Sequence, residues 1–176
     1  MSFARVSRAT EPKEGERIVQ LCAFVVGQEE YVIDIMRIRE IIQPVRITSV
    51  PQAPAYLEGV INLRGAIIPV VDLRKRLGVA PNSAASKNKY IICSVGGRRV
   101  GLMVDAVTEV VRIPRDAIQK TPSLLSKSSF FMGVYGPPDR LKLLLNIQAL
   151  LTSSDPVPAA PVRALARGQE PPQRNA

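Results

Sequence analysis

Residues 56–77 read YLEGVINLRGAIIPVVDLRKRL, and this stretch decides the fold. Two apolar segments, 60–61 and 66–71, flank a polar corner at residues 62–65. The second segment is rich in β-branched residues and too short to form a helix of its own. The pattern therefore predicts a strand, a turn and a buried strand.

The end of this stretch predicts a short capped helix. Asp72 stands directly before LRKRL, where its carboxylate can accept hydrogen bonds from the free backbone N–H groups of a first helical turn. Gly78 follows, and glycine readily adopts the left-handed conformation that ends a helix. A helix of little more than one turn is expected between these two residues.

The composition indicates a folded chain without a membrane-spanning segment. Its 176 residues are 46% hydrophobic with a mean hydropathy of +0.08, which allows one domain of ordinary size or two small ones. No apolar run approaches the roughly 20 residues that span a bilayer. The N-terminus has no apolar signal region. We therefore expect a cytoplasmic protein that does not insert into the membrane directly.

Side chains that carry many common catalytic reactions are missing. Histidine is absent, which excludes Ser-His-Asp and Cys-His catalysis and histidine metal sites. Cys22 and Cys93 lie in separate apolar runs, which favours two reduced core thiols over a disulfide or a zinc site. No glycine-rich phosphate-binding motif is present. We therefore expect a protein with no enzymatic activity, no metal and no cofactor.

The formal net charge of +9 raises the question of an anionic partner. Such an excess could favour an acidic protein, nucleic acid or an anionic membrane face. The basic residues are scattered, and only four Tyr and four Phe are available for base stacking. A solvated basic surface is therefore the favoured interpretation, with nucleic-acid binding as the alternative. That alternative predicts binding to unrelated DNA or RNA that falls steeply with salt.

Apolar runs separated by glycine turns indicate two β-hairpins. Gly27 begins the first turn, and Gly96-Gly97 forms the second. The first hairpin continues through residues 36–42 either as strand or as an amphipathic turn, and Pro44 ends it. Further short strands are predicted at 45–50 and 141–145, with a loop over 114–129 between them.

The sequence contains an internal repeat of two copies. The hairpins overlay at a constant offset of 69 residues, which places Glu40 on Glu109. The second halves overlay at an offset of 74 residues, which places Gly59 on Gly133 and Asp72 on Asn146. Chance matching of apolar strands would not predict that one helix-capping residue aligns with another. A repeated β module is therefore expected.

The repeat predicts an all-β fold of two small β-barrels packed together, because closure removes the exposed edges of short strands. The barrels are assigned to residues 17–85 and 86–152. Residues 1–16 and the Pro/Arg-rich residues 153–176 are expected to be disordered tails. A single immunoglobulin-like sandwich is the runner-up, and the repeat argues against it.

The two copies differ at the polar corner. The first has Asn62-Leu63-Arg64-Gly65 where the second has Gly-Pro-Pro-Asp at 136–139. The fold therefore does not require Arg64, which becomes a candidate for contacts with other molecules. The alternative is an intramolecular ion pair with Glu40, which at a surface contributes typically under about 1 kcal/mol.

These residues resemble the chemotaxis coupling protein CheW family. The resemblance covers roughly Val19 to Ser153, and it is carried by EYVIDIMRIREI, PAYLEGVINLRGAIIPVVDLR, GLMVDAVTEV and LLLNIQALL. The combination of NLRG with VVDLR is its most specific part. The resemblance implies two tandem SH3-like five-stranded β-barrels with short helical turns. It also implies a non-enzymatic adaptor that joins chemoreceptors to the histidine kinase CheA in arrays beneath the membrane.

The resemblance also implies roles for individual residues. Ile35 and Glu40 match positions that bind the regulatory CheW-like domain of the kinase. The positions matching contacts to the cytoplasmic tip of the chemoreceptor, in the corner and in a groove between the barrels, are Ile38, Asn62, Leu63, Arg64 and Val110. The apolar candidates for either partner could equally be ordinary core residues. These are Ile35, Ile38, Leu63 and Val110. Other CheW-like proteins in the array are further expected partners. A basic double-barrel nucleic-acid-binding protein remains the alternative function.

Overall fold

A computed structural model describes residues 15–80, 88–123 and 129–153, and it is dominated by strands. The strands are β1 Ile18–Val26, β2 Glu29–Asp34, β3 Ile38–Ile42, β4 Leu57–Leu63, β5 Ala66–Asp72, β6 Lys89–Val95, β7 Arg98–Val104, β8 Ala106–Pro114, β9 Phe131–Tyr135 and β10 Lys142–Leu145. Two α-helices, α1 Leu73–Leu77 and α2 Ile147–Thr152, follow β5 and β10, and single 3-10 turns follow β2 and β8. The two predicted tails fall almost wholly outside the described residues.

The strands form two five-stranded sheets, and each sheet takes strands from both halves of the chain. Barrel I has the order β8-β1-β2-β10-β9, and barrel II has the order β3-β6-β7-β5-β4. The predicted barrel boundaries, 17–85 and 86–152, are therefore wrong. The N-terminal hairpin of each copy completes the sheet of the other copy, through parallel pairing of β2 with β10 and of β7 with β5. An apolar strand pattern shows which face is buried, but it does not show which copy supplies the partner strand.

The chain closes each barrel with an isolated bridge between the ends of its sheet. After β3, Thr48 exchanges two backbone hydrogen bonds of 2.9 Å with Val60 on β4. After β8, Gln119 does the same with Val134 on β9, at 2.9 and 3.0 Å. The predicted strand over 45–50 is thus reduced to one bridging residue. The matching bridges are direct structural support for the internal repeat.

Both helices are capped as the sequence predicts. Asp72 Oδ1 accepts a hydrogen bond from the Arg74 N–H at 2.8 Å, and Asn146 Oδ1 accepts one from the Ala149 N–H at 3.2 Å. Gly78 takes the left-handed conformation, with φ of 65°, at the end of α1. These caps set the helices at the same place in each copy of the repeat, directly after its fifth strand.

The apolar core is divided into three clusters. One lies within barrel I and includes Leu21, Val111 and Leu144, and one lies within barrel II and includes Ile61 and Ile92. The largest contains residues of both sheets and both helices, so it packs the two barrels against each other. The exchanged hairpins contribute to this shared cluster, which explains why the two copies form one compact unit.

Arg76, at the end of α1, also joins the two copies. Its Nε donates to the Leu150 carbonyl and its Nη2 to the Ser153 carbonyl, both at 2.7 Å. The guanidinium carbon lies 5.1 Å from the Tyr56 ring centroid and 5.4 Å from that of Phe130. Its charge is therefore buried but fully engaged, between aromatic faces and helix-end carbonyls.

Candidate functional site

The polar corner of the first copy is a two-residue hairpin turn between β4 and β5. Leu63 pairs with Ala66, and the loop residues Arg64 and Gly65 have φ of 50° and 82°. Two consecutive positive φ values are those of a type I′ turn, which matches the twist of the flanking strands. Arginine is not favoured in this conformation. The turn alone therefore does not explain why an arginine occupies the position.

Asn62 stabilises this turn from within. Its side-chain Oδ1 accepts a hydrogen bond from the Gly65 N–H at 2.9 Å, as asparagine commonly does in turns. Leu63 is half-buried and packs against the barrel II core. Both residues were predicted to contact a partner, and the structure gives each of them a structural role as well. Asn62, Arg64 and Gly65 are all exposed, and Arg64 carries the charge of the corner.

Arg64 forms an ion pair with Glu40, which is the intramolecular alternative that the sequence left open. The Arg64 Nη2 donates to Glu40 Oε1, and the side chains are 70% and 28% exposed. Glu40 lies on β3 and Arg64 beside β4, which are the two ends of the barrel II sheet. The pair therefore crosses the seam of the barrel. At this exposure its contribution to folding is expected to stay below about 1 kcal/mol.

The three remaining predicted residues lie away from the turn. Ile35 is half-buried in the 3-10 turn Ile35–Arg37, so the strand predicted through residues 36–42 begins only at Ile38. Ile38 packs against the shared core and pairs with Cys93. Val110 is half-buried in barrel I, opposite Cys22. The structure thus brings together Glu40, Asn62, Leu63 and Arg64, and it places Val110 on the other sheet.

Two exposed apolar side chains were missed. Ile67 is 65% exposed and lies opposite Asn62 across the hairpin. The two-residue period from buried Ile68 could have identified it. Met36 is 84% exposed because it lies in the 3-10 turn. The two-residue alternation of a strand does not predict where its side chain points there. Large apolar groups at this exposure are typical of protein-binding surfaces, and Ile67 lies on the same hairpin as Arg64.

The described residues offer little that could support chemistry at this surface. Burial raises the pKa of Cys22 to about 11, and burial together with the nearby Cys22 raises that of Cys93 to about 12. Both thiols therefore stay protonated and inaccessible at neutral pH. Within the described ranges no three His, Cys, Asp or Glu residues are grouped to hold a metal ion. In the same ranges no helix is long and apolar enough to cross a bilayer.

Comparison with known proteins places the chain in a family. A family model described as CheW-like domain matches residues 20–155. The probable chemotaxis protein CheW of Rhizobium etli is 36% identical over 144 residues, covering 81% of this chain and 92% of that protein. Chemotaxis protein CheW of Rhizobium meliloti is 38% identical over 138 residues, covering 77% and 89%. The crystal structure of the scaffolding protein TtCheW from Thermoanaerobacter tengcongensis matches with a TM-score of 0.72 at 32% identity, covering 78% and 95%. The chain therefore belongs to the CheW family, and its fold is the SH3-like double barrel of that family.

Proposed function

We propose that the chain is a non-enzymatic adaptor that couples chemoreceptors to the histidine kinase CheA. Its membership of the CheW family supports this function, because the similar proteins are named chemotaxis and scaffolding proteins. The single observation that carries the assignment to a surface is the Arg64 guanidinium. It is exposed, it is presented by a hairpin turn, and within the described residues it pairs with the Glu40 carboxylate across the seam of barrel II.

The energetics of the corner favour a binding role for Arg64. A surface ion pair contributes little to folding, and a residue other than glycine at positive φ costs on the order of 1 kcal/mol. In the second copy the position aligned with Arg64 is Pro138, and the arginine of that loop, Arg140, lies two residues later. Stability therefore does not account for Arg64, and an intermolecular contact does. Arginine is well suited to such a contact because its planar guanidinium can bind carboxylates through two parallel hydrogen bonds.

We assign the kinase contact to Ile35 and Glu40, and the receptor contact to Ile38, Asn62, Leu63, Arg64 and Val110. Glu40 and Arg64 are bonded to each other in the free protein. A receptor carboxylate that draws Arg64 away would therefore leave Glu40 available to the kinase. Binding of either partner would then change the state of the same ion pair. Each partner would thereby alter the affinity for the other, which is the reciprocal coupling that an adaptor needs.

The proposed adaptor acts in an array at the inner face of the membrane. The receptors would hold it there, together with the regulatory CheW-like domain of CheA and other CheW-like proteins. Individual contacts of modest affinity suffice in such an assembly, because several linked contacts raise the effective concentration of each partner.

The decisive experiment separates the charge of Arg64 from the geometry of its turn. Arg64→Asn keeps a residue that tolerates positive φ and removes the guanidinium. We expect binding to a purified receptor cytoplasmic fragment or to the CheA regulatory domain to weaken about tenfold or more. The melting temperature should stay unchanged. Isothermal titration calorimetry and differential scanning calorimetry measure the two quantities.

The matched control is Arg112→Gln, which removes one positive charge from an exposed position on β8 in barrel I. It should bind both partners as the parent protein does. Equal affinity of the Arg64→Asn variant and the parent protein for both partners would refute the surface assignment. Equal weakening by the two variants would instead indicate a nonspecific charge effect.

A further inference from the structure

A pocket of about 370 Å³ opens at one end of barrel I. Its wall combines polar groups with apolar side chains, which include Val19, Leu21 and Leu144 from the barrel together with Ile118. Met132 lines the mouth and is 51% exposed. Apolar side chains thus face a concave space that is large enough for a bulky side chain or a small ligand.

The equivalent end of barrel II is filled by larger side chains. The repeat places Tyr90 at the position of Leu21, Met103 at that of Asp34 and Arg74 at that of Gln148. Arg74 there contacts Asp105 Oδ1 at 3.3 Å, Asp72 Oδ1 at 3.4 Å and the Met103 sulfur at 3.7 Å. Tyr90 is 4% exposed and pairs with Met103. The same fold can therefore close this end, and the substitutions in barrel I leave it open.

The charged groups around the pocket favour an acidic occupant. Arg37 and Arg115 both line it, and within the described ranges neither guanidinium has an ion-pair partner. The acidic group of the lining, Asp34, already accepts a hydrogen bond from the Met36 N–H at 2.9 Å. Two available guanidiniums beside an apolar cavity are complementary to an apolar side chain flanked by carboxylates.

We propose that this open barrel end is a docking pocket for an acidic segment of a partner protein, which would seat one large apolar side chain between Arg37 and Arg115. Apart from Val95 on β6, the residues that line the pocket belong to barrel I and the segments that follow its strands, and the Glu40–Arg64 pair, which lies in barrel II, is not among them. The inference therefore stands independently of the adaptor proposal. The C-terminal segment of this chain is a poor occupant because it carries Arg163, Arg167 and Arg174 against only two acidic residues.

The test uses the full-length, ¹⁵N-labelled protein and three five-residue peptides with blocked ends. The probe has the sequence Glu-Glu-Phe-Glu-Glu, and the controls replace its Phe by Ala or its four Glu by Lys. Of the three peptides, we expect only the probe to shift amide resonances in a saturable way. The largest shifts should fall at Val19, Leu21, Asn146 and Gln148. A scattered response, or an equal response to either control peptide, would overturn the proposal.

Two variants test the mechanism of binding. Gln148→Arg introduces the residue that fills the equivalent end of barrel II, and it should weaken the probe at least tenfold. The double variant Arg37→Glu, Arg115→Glu changes only exposed side chains and should weaken the probe at least as much, with an unchanged spectrum elsewhere. Probe binding that survives in both variants refutes the pocket. Arg64→Asn should bind the probe normally, which separates this site from the corner.

One further outcome would reassign the occupant. The Arg115 N–H donates to the Arg17 carbonyl at 2.8 Å, so the N-terminal segment begins beside the pocket. If the probe bound only after deletion of residues 1–14, this chain's own segment would be the occupant and docking of an external partner would be rejected. Equal affinity with and without residues 1–14 supports the proposal as stated.

Discussion

Equivalent carboxylates in the two copies pair with cations of opposite exposure. Glu40 on β3 pairs with Arg64, whose side chain is 70% exposed. Glu109 on β8 pairs with Lys142 at 2.5 Å, and Lys142 also lies 3.7 Å from Glu30. The Lys142 side chain is only 8% exposed. The first copy thus keeps its charge pair where another molecule can reach it, and the second uses the same position to stabilise its own barrel.

This difference shows how duplication permits specialisation. Both copies need the capped helix, the closing bridge and the apolar core, because each barrel depends on them. The first copy needs no particular partner for its edge-strand carboxylate, because the Glu40 pair is exposed and contributes little to stability. One copy could therefore acquire an exposed arginine without loss of the fold.

The largest expected effect tests what the copies share. A Cβ at Gly59 would lie 2.2 Å from the Thr48 carbonyl oxygen, and φ there is 148°. We expect Gly59→Ala to destabilise the protein by about 3 kcal/mol, measured by urea denaturation. Gly133→Ala should cost about 2 kcal/mol, because its Cβ would meet the Ile118 methyl at 2.5 Å and the Gln119 carbonyl oxygen at 2.8 Å without positive φ. If neither substitution lowered the free energy of unfolding, the close packing inferred at the two closing bridges would be contradicted.

The next effect tests the buried charge cluster of the second copy. Lys142→Met keeps most of the side-chain volume but leaves Glu109 and Glu30 without their shared cation. We expect a loss of about 2 kcal/mol, because removing one partner of a buried pair is costly and both carboxylates remain partly solvated. Adding Glu109→Gln should restore part of that loss. If Lys142→Met lowered the free energy of unfolding no more than Arg64→Asn does, the two charge pairs would not differ in their contribution to stability.

The smallest effect compares the two carboxylates directly. Glu40→Gln should change the free energy of unfolding by less than about 0.5 kcal/mol, because its pair is exposed. Glu109→Gln should cost about 1 kcal/mol, since it weakens a charge-assisted hydrogen bond to a buried amine. Chemical denaturation of the two variants at low ionic strength measures both. The comparison fails if Glu40→Gln proves the more damaging change.

Much of the local structure could be predicted from the sequence. The glycine turns and the Asp72 and Asn146 caps are present, because each depends on residues whose preferences act over short distances. The Glu40–Arg64 pair is also present, as the intramolecular alternative for Arg64. The 3-10 turn at Ile35–Arg37 was not separated from a strand, since its apolar pattern fits both. Ile67 was missed because the segment 66–71 was interpreted only as buried.

The residues alone show that a β module is repeated, where its turns and helix caps fall, and that Arg64 has no aligned arginine in the second copy. The exchange of hairpins between barrels, the sharing of Lys142 by two carboxylates and the open end of barrel I emerge only from the folded chain. The two sets of features differ in the range of the interactions behind them. Turn and cap preferences act within a few residues, whereas strand partners and cavity filling depend on contacts between distant segments whose local patterns are alike.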